Sequence, residues 1–220
     1  MVKPILAYWD IRGFAEPIRL LLHYNKVDFE DKRYNVHTGD WLKDKFNLAL
    51  DFPNLPYYIE GDLRITQSTT IIQYLARKYG MDGKDERQKV RVSMADLQLI
   101  DLRMALVDVI YNDHYEALKE NFIKKIPDML KQWDKFLGDR KYLAGDNITY
   151  VDFMAYDCID MYRLFQENAL DGCPNLQAYQ KRMRNLPELQ AYFNSPQCKF
   201  WPIYGPTSHF GGSGDPPKHL

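Results

Sequence analysis

ILAYWDIRGFAEPIRLLLHY, residues 5–24, sets a short buried strand, a glycine turn and an amphipathic helix one after another. Ile5 to Trp9 is an apolar and aromatic run without Pro or Gly, the composition of a strand inside a sheet rather than on its rim. Asp10 to Gly13 break the run. Pro17 stands where a first helical turn tolerates proline, and Ile18, Leu21 and Leu22 recur at helical spacing, with Arg19 and His23 turned elsewhere. A strand end therefore lies beside a helix start, where unpaired N–H groups and about half an elementary positive charge stabilise an anion. Tyr8, near the strand's end, is placed to aim its hydroxyl at that anion. It serves equally as a half-buried strand aromatic with no role beyond packing.

Working outward, Asp28 to Tyr34 alternates well enough for a second strand, so the chain opens strand, helix, strand, a crossover that makes a parallel pair. Thr38-Gly39-Asp40 caps a short helical turn over Trp41 to Phe46. Tyr57 to Ile59 and Leu63 to Ile65 flank Glu60-Gly61-Asp62 as a hairpin. Thr66-Gln67-Ser68 then offers hydroxyl caps to a helix whose stripe is Ile71, Ile72, Leu75 and Tyr79. The order βαβ followed by ββα is thioredoxin-like.

Gly80 to Gly83 and the charged Lys84 to Arg87 read as a stop and a linker, which divides the chain into residues 1–83 and 84–220. Beyond it the period is helical almost throughout. Residues 86–110 make one long helix with Val90, Met94, Leu97, Asp101 and Met104 near one face, where Asp101 has Arg103 or a surface lysine as an ordinary partner. Tyr115 to Leu137 makes another, interrupted by Pro127. Thr149 and Asp152 form a hydroxyl–x–x–acid capping box ahead of Phe153, Met154 and Tyr156, marking a core helix. Pro174 opens a helix to Arg184 and Pro187 a further one, while Gly205 to Leu220, rich in Gly and Pro, has nothing to bury and is expected to be disordered.

The chain has 220 residues, with 29 Lys plus Arg against 30 Asp plus Glu. A net charge of -1 gives no electrostatic case for nucleic acid or an anionic membrane and favours a small-molecule role. No long apolar span and no signal-peptide run after Met1 occur, so a cytoplasmic protein is expected. Cys158, Cys173 and Cys198 lie far apart without a metal-ligand or redox spacing, and read as reduced packing residues with no metal site.

LAYWDIRG, LDFPNLPYYI, TQS, YLARKYG and ITYVDFMAYD, in this order and spacing, resemble the cytosolic glutathione transferases, closest to the mu class. The loop between Tyr34 and Trp41 is shorter than in typical mu enzymes, and the Gly-Pro ending after Phe210 is similar to a mu-like invertebrate subgroup. The resemblance implies an α/β thioredoxin-like N-terminal domain followed by an all-α helical C-terminal domain, assembled as a two-fold homodimer. The implied activity is conjugation of glutathione, a co-substrate rather than a cofactor, to hydrophobic electrophiles. Glutathione-dependent isomerisation of prostaglandin-like substrates and carriage of haem-like amphipathic ligands share the fold.

By the same resemblance, Tyr8 donates its phenolic proton to the glutathione sulfur, and Tyr111 assists leaving-group departure or epoxide opening. Trp41 and Lys45 match the pair that holds the glycyl carboxylate. Leu55, before a cis Pro56, pairs its backbone with the cysteinyl residue, while Trp9, Asn54, Gln67 and Ser68 match further glutathione contacts. Asp101 reaches toward the γ-glutamyl ammonium in the other subunit's site, and Phe52 inserts as a key between helices of that subunit. Trp9, Ile11, Phe14, Ile100, Met104, Tyr111 and Tyr204 match the apolar walls for the electrophile.

Overall fold

The computed structural model describes residues 2–218; Met1 of the expected leaderless start, and His219 and Leu220 of the expected disordered tail, lie outside the described residues. Four strands, β1 (Ile5–Trp9), β2 (Glu30–Tyr34), β3 (Tyr57–Glu60) and β4 (Leu63–Thr66), form one mixed sheet in the order β2-β1-β3-β4. β1 runs parallel to β2, as its crossover through α1 (Glu16–Tyr24) requires, and antiparallel to β3, which closes a hairpin with β4. The short α2 (Asp40–Asp44) follows β2, starting and ending earlier than Trp41 to Phe46, and α3 (Ser68–Lys78) follows the hairpin. The remainder is helical: α4 (Glu86–Ile110), α5 (Tyr115–Leu137), α6 (Tyr150–Phe165), α7 (Pro174–Arg184) and the short α8 (Gln190–Phe193), preceded by a 3-10 turn over Pro187–Leu189.

Two apolar clusters divide the interior. The larger joins Leu6 and Tyr58 of the sheet, the inner faces of α1 and α3, and the helices from α4 onward into one continuous core. The smaller lies on the other side of the sheet and gathers Ala7, Tyr8, Ile11, Ala15, Trp41, Leu55 and Tyr57. α6 explains the join: the Thr149 hydroxyl and Asp152 carboxylate satisfy each other's end of the helix, and fourteen residues of α6, Tyr150 through Phe165, are buried. Burial pushes the Asp152 carboxyl up to about 6, although the amides of Leu143 and Thr149 hold it down in part.

One helix face is given its direction, and three expectations are corrected. The stripe Val90, Met94, Leu97 and Met104 of α4 faces outward, each residue 37% to 63% exposed, because α5 and α6 pack on the opposite face through Val92, Leu99, Leu102 and Leu106. Arg103 is no partner of Asp101; it is buried and pairs with Asp157. Pro127 does not interrupt α5, whose buried residues Ile126 and Leu130 seat the turn on either side of the proline. Nor is Gly205 to Lys218 without packing. The amides of Ile203 and Tyr204 donate to Gly211, the His209 amide donates to Ile110, His209 stacks on Tyr115 at 5.0 Å, and Phe210 sets its ring edge-on to Phe165. A glycine-rich chain buries little side chain, but its backbone bonds and one inserted aromatic suffice to seat it.

Candidate functional site

At the end of β1 the chain turns through Asp10 to Gly13 into a 3-10 turn over Gly13–Ala15 and then α1. Gly13 has φ +46°, and a Cβ there would lie 2.9 Å from the Tyr8 hydroxyl, so only glycine both takes this conformation and lets the loop close over the ring. Tyr8 is buried in the smaller cluster. Burial raises its pKa, opposed by a backbone hydrogen bond from Phe14 and by the charges of Arg103 and Arg19. A buried, protonated phenol keeps its O–H to give, which suits a donor and not a base.

The carbonyls of Ile11, Arg12 and Gly13 are held by charges that are themselves buried. Arg19, fully buried on α1, donates to the carbonyls of Ile11 at 3.0 Å and Arg12 at 3.2 Å and pairs with Asp31 and Glu16. Arg103 of α4 donates to the Gly13 carbonyl at 3.2 Å, and the amides of Arg12 and Gly13 donate to Pro202 and Ile203. Arg12 in turn lies between Asp157 at 2.6 Å and Asp160 at 2.7 Å of α6. Burial opposes the charge on Arg12, but the two aspartates outweigh it and hold the guanidinium well above its ordinary pKa. Burial raises the Glu16 pKa, with Arg19 the main charge opposing it, and its carboxylate accepts the Tyr192 hydroxyl at 2.9 Å. None of Arg12, Glu16, Arg19, Asp157 or Asp160 was singled out from the sequence. The available signal was charge inside apolar segments, two acids three apart on a core helix among them, since buried charges need partners.

Around this loop the expected polar positions are open. Trp41 is buried, stacked on Tyr57 at 6.1 Å between ring centres, and Lys45 stands just past the end of α2, half-buried with its ammonium 5.4 Å from the Phe46 ring. Leu55–Pro56 is a cis peptide bond. The exposed Asn54 turns its side-chain oxygen onto the Leu55 amide at 2.9 Å, so that amide is engaged before any ligand arrives. Thr66 is drawn into β4 opposite Tyr57, leaving Gln67 at the head of α3 with φ +70° and no side-chain cap, which corrects the expected hydroxyl cap. Gln67 is one of three residues other than glycine with positive φ among the described residues, a backbone that persists where neighbours over-determine it. The first amides of α3, beside Ser68, are left without a side-chain cap.

The apolar positions fall in more than one place. Phe14 and Ile100 line a cavity of about 150 Å³ with Ser68 and Arg103 between α1, α3, α4 and α6. Ile11 and Tyr204 line a separate one of about 170 Å³ under the loop from Asn35 to His37. Trp9 packs at the edge of the smaller cluster, and Met104 and Tyr111 are exposed. Tyr111 accepts the Gly205 amide at 2.8 Å and sets its ring at 85° to Tyr204; burial raises its pKa, so its O–H also remains to donate. Tyr204 is buried, with its hydroxyl on the Met161 sulfur at 3.1 Å. Asp101 is exposed beside a groove between α4 and α5 formed by Met94, Leu97, Trp133 and Phe136, and Phe52 is 74% exposed on its loop.

All three cysteines are free thiols. Among the described residues no group of three or more His, Cys, Asp or Glu is arranged to hold a metal, and no helix is long and apolar enough to cross a membrane.

Two family models match the chain, glutathione S-transferase N-terminal domain over residues 4–77 and glutathione S-transferase C-terminal domain over residues 100–196. The chain is 42% identical to glutathione S-transferase Mu 1 of Mus musculus, covering 94% of this chain and 97% of that protein. It is 43% identical to a glutathione S-transferase of Dermatophagoides pteronyssinus, covering 97% and 99%. Among solved structures, glutathione S-transferase Blo t 8 superposes with a TM-score of 0.87 at 34% identity, over 94% of this chain and 99% of that one.

Proposed function

The chain belongs to the glutathione S-transferase family, with mu-class relatives, and from that membership we propose that Tyr8 activates glutathione for attack on hydrophobic electrophiles. The enzyme is a transferase that joins the glutathione thiol to such electrophiles and consumes glutathione as a co-substrate. The observation that carries the role of Tyr8 is a buried phenol whose pKa is raised and whose ring is covered by Gly13 at the end of β1.

A free thiol has a pKa of about 8.5, so only a few per cent is thiolate at neutral pH. Lowering it by about two units needs about 2.7 kcal/mol of extra stabilisation for the thiolate. One hydrogen bond to a charged acceptor supplies about 1.5–3 kcal/mol, so Tyr8 accounts for most of the shift. Arg103 and Arg19, which oppose the rise in the Tyr8 pKa, make its O–H a stronger donor. The thiolate then attacks the electrophilic carbon, and Tyr111 gives a hydrogen bond to the departing or opening oxygen.

Glutathione brings two carboxylates and an ammonium, and the residues left unpaired around Tyr8 suit them. Lys45 and Trp41 take the glycyl carboxylate, and the open start of α3 at Gln67 and Ser68 takes the γ-glutamyl carboxylate. Asn54 swings off the Leu55 amide, which then pairs with the cysteinyl residue. Asp101 serves the partner subunit's ammonium, and Phe52 enters the α4–α5 groove of the partner. The outward apolar stripe of α4 supports this pairing, since an exposed run of that kind marks an association surface. The unit is a homodimer working in detoxification in the cytosol, each chain dividing near Gly83 into a glutathione-binding and an electrophile-binding part.

The test is a panel of electrophiles with and without glutathione, read by product mass, run on the parent and on Tyr8→Phe. Glutathione adducts are expected from the parent. Tyr8→Phe should lose about ten- to a hundredfold in turnover at neutral pH, the share of about 1.5–3 kcal/mol of thiolate stabilisation. Glutathione affinity should stay within a few-fold, and activity should partly return at high pH as the thiol ionises unaided. An unchanged rate and thiol pKa in the variant would remove Tyr8 from this role.

A further inference from the structure

α2 is five residues long, too short to hold itself as a helix, yet it carries Trp41 and is followed at once by Lys45. Asp44, in its last turn, opposes the helix dipole and gives the helix no stability of its own. Its partners lie on β2. One carboxylate oxygen of Asp44 accepts the Lys32 ammonium at 2.7 Å and the Tyr34 hydroxyl at 2.6 Å. The other polar side chains of α2, Asp40 and Lys43, bond only to each other and to Thr38, so among the described residues Asp44 alone ties α2 to the sheet by side-chain hydrogen bonds.

The chain of bonds continues inward. Because Tyr34 gives its proton to Asp44, its oxygen accepts from the Tyr57 hydroxyl 3.1 Å away, and both tyrosines are buried. Burial, then donation to Asp44, push the Tyr34 phenol up to about 12, and the bonds from Lys32 and Tyr34 hold the Asp44 carboxyl below its ordinary value. The same two rings wall Trp41, Tyr34 edge-on at 5.5 Å and Tyr57 stacked at 6.1 Å. The Lys45 amide donates to the Trp41 carbonyl at 2.8 Å, so what seats the indole seats the lysine as well. An acid beside a site for a carboxylate repels its ligand unless its charge is taken up. Lys32 takes it up and leaves Lys45, which makes no ion pair with a described residue, for the ligand.

We propose that Asp44 is a positioning residue for the glycyl end of glutathione, latching α2 onto β2 so that Trp41 and Lys45 stand where one carboxylate meets both. The inference rests on the reading of Trp41 and Lys45 given above. Asp44 itself touches no substrate.

The test compares two thiols in steady-state rates at a fixed electrophile: glutathione, and the ethyl ester of γ-glutamylcysteine, which lacks the glycyl residue and carries no charge in its place. Asp44→Asn should raise the KM for glutathione about three- to tenfold, the scale of one lost hydrogen bond to a charged group at a partly solvated site. The KM for the ester should not move, and kcat with glutathione should hold, because Tyr8 stands on β1 outside this chain of bonds. Tyr34→Phe keeps the ring beside Trp41 and removes its O–H. It should act in the same direction more weakly, since Lys32 still holds Asp44, and it gives an independent reading if Asp44→Asn folds poorly. Lys45→Ala is the control for the site itself. Discrimination between the thiols by Lys45→Ala, with none by Asp44→Asn or Tyr34→Phe, would overturn the positioning role and leave the glycyl site standing. No discrimination by any of the three would overturn both. An equal rise in KM for the two thiols in Asp44→Asn and Tyr34→Phe would show a general loosening in place of a latch, and would overturn the role as well.

Discussion

Two sets of charged and polar side chains, one packed behind the loop from Asp10 to Gly13 and one left open to solvent, are treated in opposite ways. Behind the loop, Arg12, Glu16, Arg19, Arg103, Asp157 and Asp160 are all 8% exposed or less and paired with one another. On the open side, Lys45 and Ser68 are half-buried and Gln67 is exposed, Asp101 is exposed beside the α4–α5 groove, and none of the four makes an ion pair with a described residue. A buried charge without a partner costs several kcal/mol, so the closed set has to be complete within the chain. The open set stays hydrated, and its pairing energy is kept for a ligand. The closed set therefore fixes where Tyr8 and its loop stand, and the open set decides what is held there.

The strongest way to break this contrast is to open the closed set. Asp157→Ala leaves Arg103 buried without a carboxylate and Arg12 with one in place of two, and should lower unfolding stability by about 3–5 kcal/mol. Lys45→Ala, in the open set, should weaken glutathione binding several-fold while moving stability by no more than about 0.5 kcal/mol. Denaturant midpoints of the two variants, with glutathione titration on Lys45→Ala, decide it. Equal stability losses would mean that the division between the sets is unreal.

Phe52→Ser comes next, because it tests whether the open face extends to a partner. Loss of an aromatic anchor commonly costs about 2 kcal/mol or more at an interface. Sedimentation should show a shift toward monomer at micromolar concentration, and that monomer should bind glutathione more weakly because it lacks the partner's Asp101. A folded Phe52→Ser monomer with parental affinity would return Asp101 to an ordinary surface acid.

A smaller effect is expected of Asp101→Ala itself. It should weaken glutathione several-fold, in line with about 1 kcal/mol for one partly solvated charge pair, with no change in sedimentation.

The smallest effect is a pH slope at the border of the closed set, where His23 stacks on Tyr192 at 4.1 Å. Burial, helped by Arg19 and Arg33 and opposed by Asp31, lowers its pKa from 6.5 to about 4. Below pH 6.5 the unfolded chain binds a proton that the folded chain refuses, so this contribution is complete above 6.5 and lost as the pH falls toward 4. His23→Phe should flatten the fall in stability between pH 7 and 5. A slope identical to the parent's in urea titrations would show that His23 does not sense pH.

The sequence by itself determined the elements and their order. Apolar spacing, the turn at Gly61, the Thr149 and Asp152 box and the prolines at 17 and 174 act within a few residues, and a local rule needs nothing else to be read. The motif series from LAYWDIRG to ITYVDFMAYD likewise carried the family. What surrounds Tyr8 was decided by tertiary structure. Arg12 meets Asp157 across 145 residues and Arg103 meets it across 54, and no spacing rule reaches so far. The periodicity of α4 showed that Val90, Met94 and Leu97 share a face but not that the face points outward, because the opposite stripe is apolar too and only packing against α5 and α6 chooses between them. The tail after Gly205 offered no periodic pattern, and its place over Tyr111 rests on backbone bonds, which any sequence can make and only the assembled surface selects.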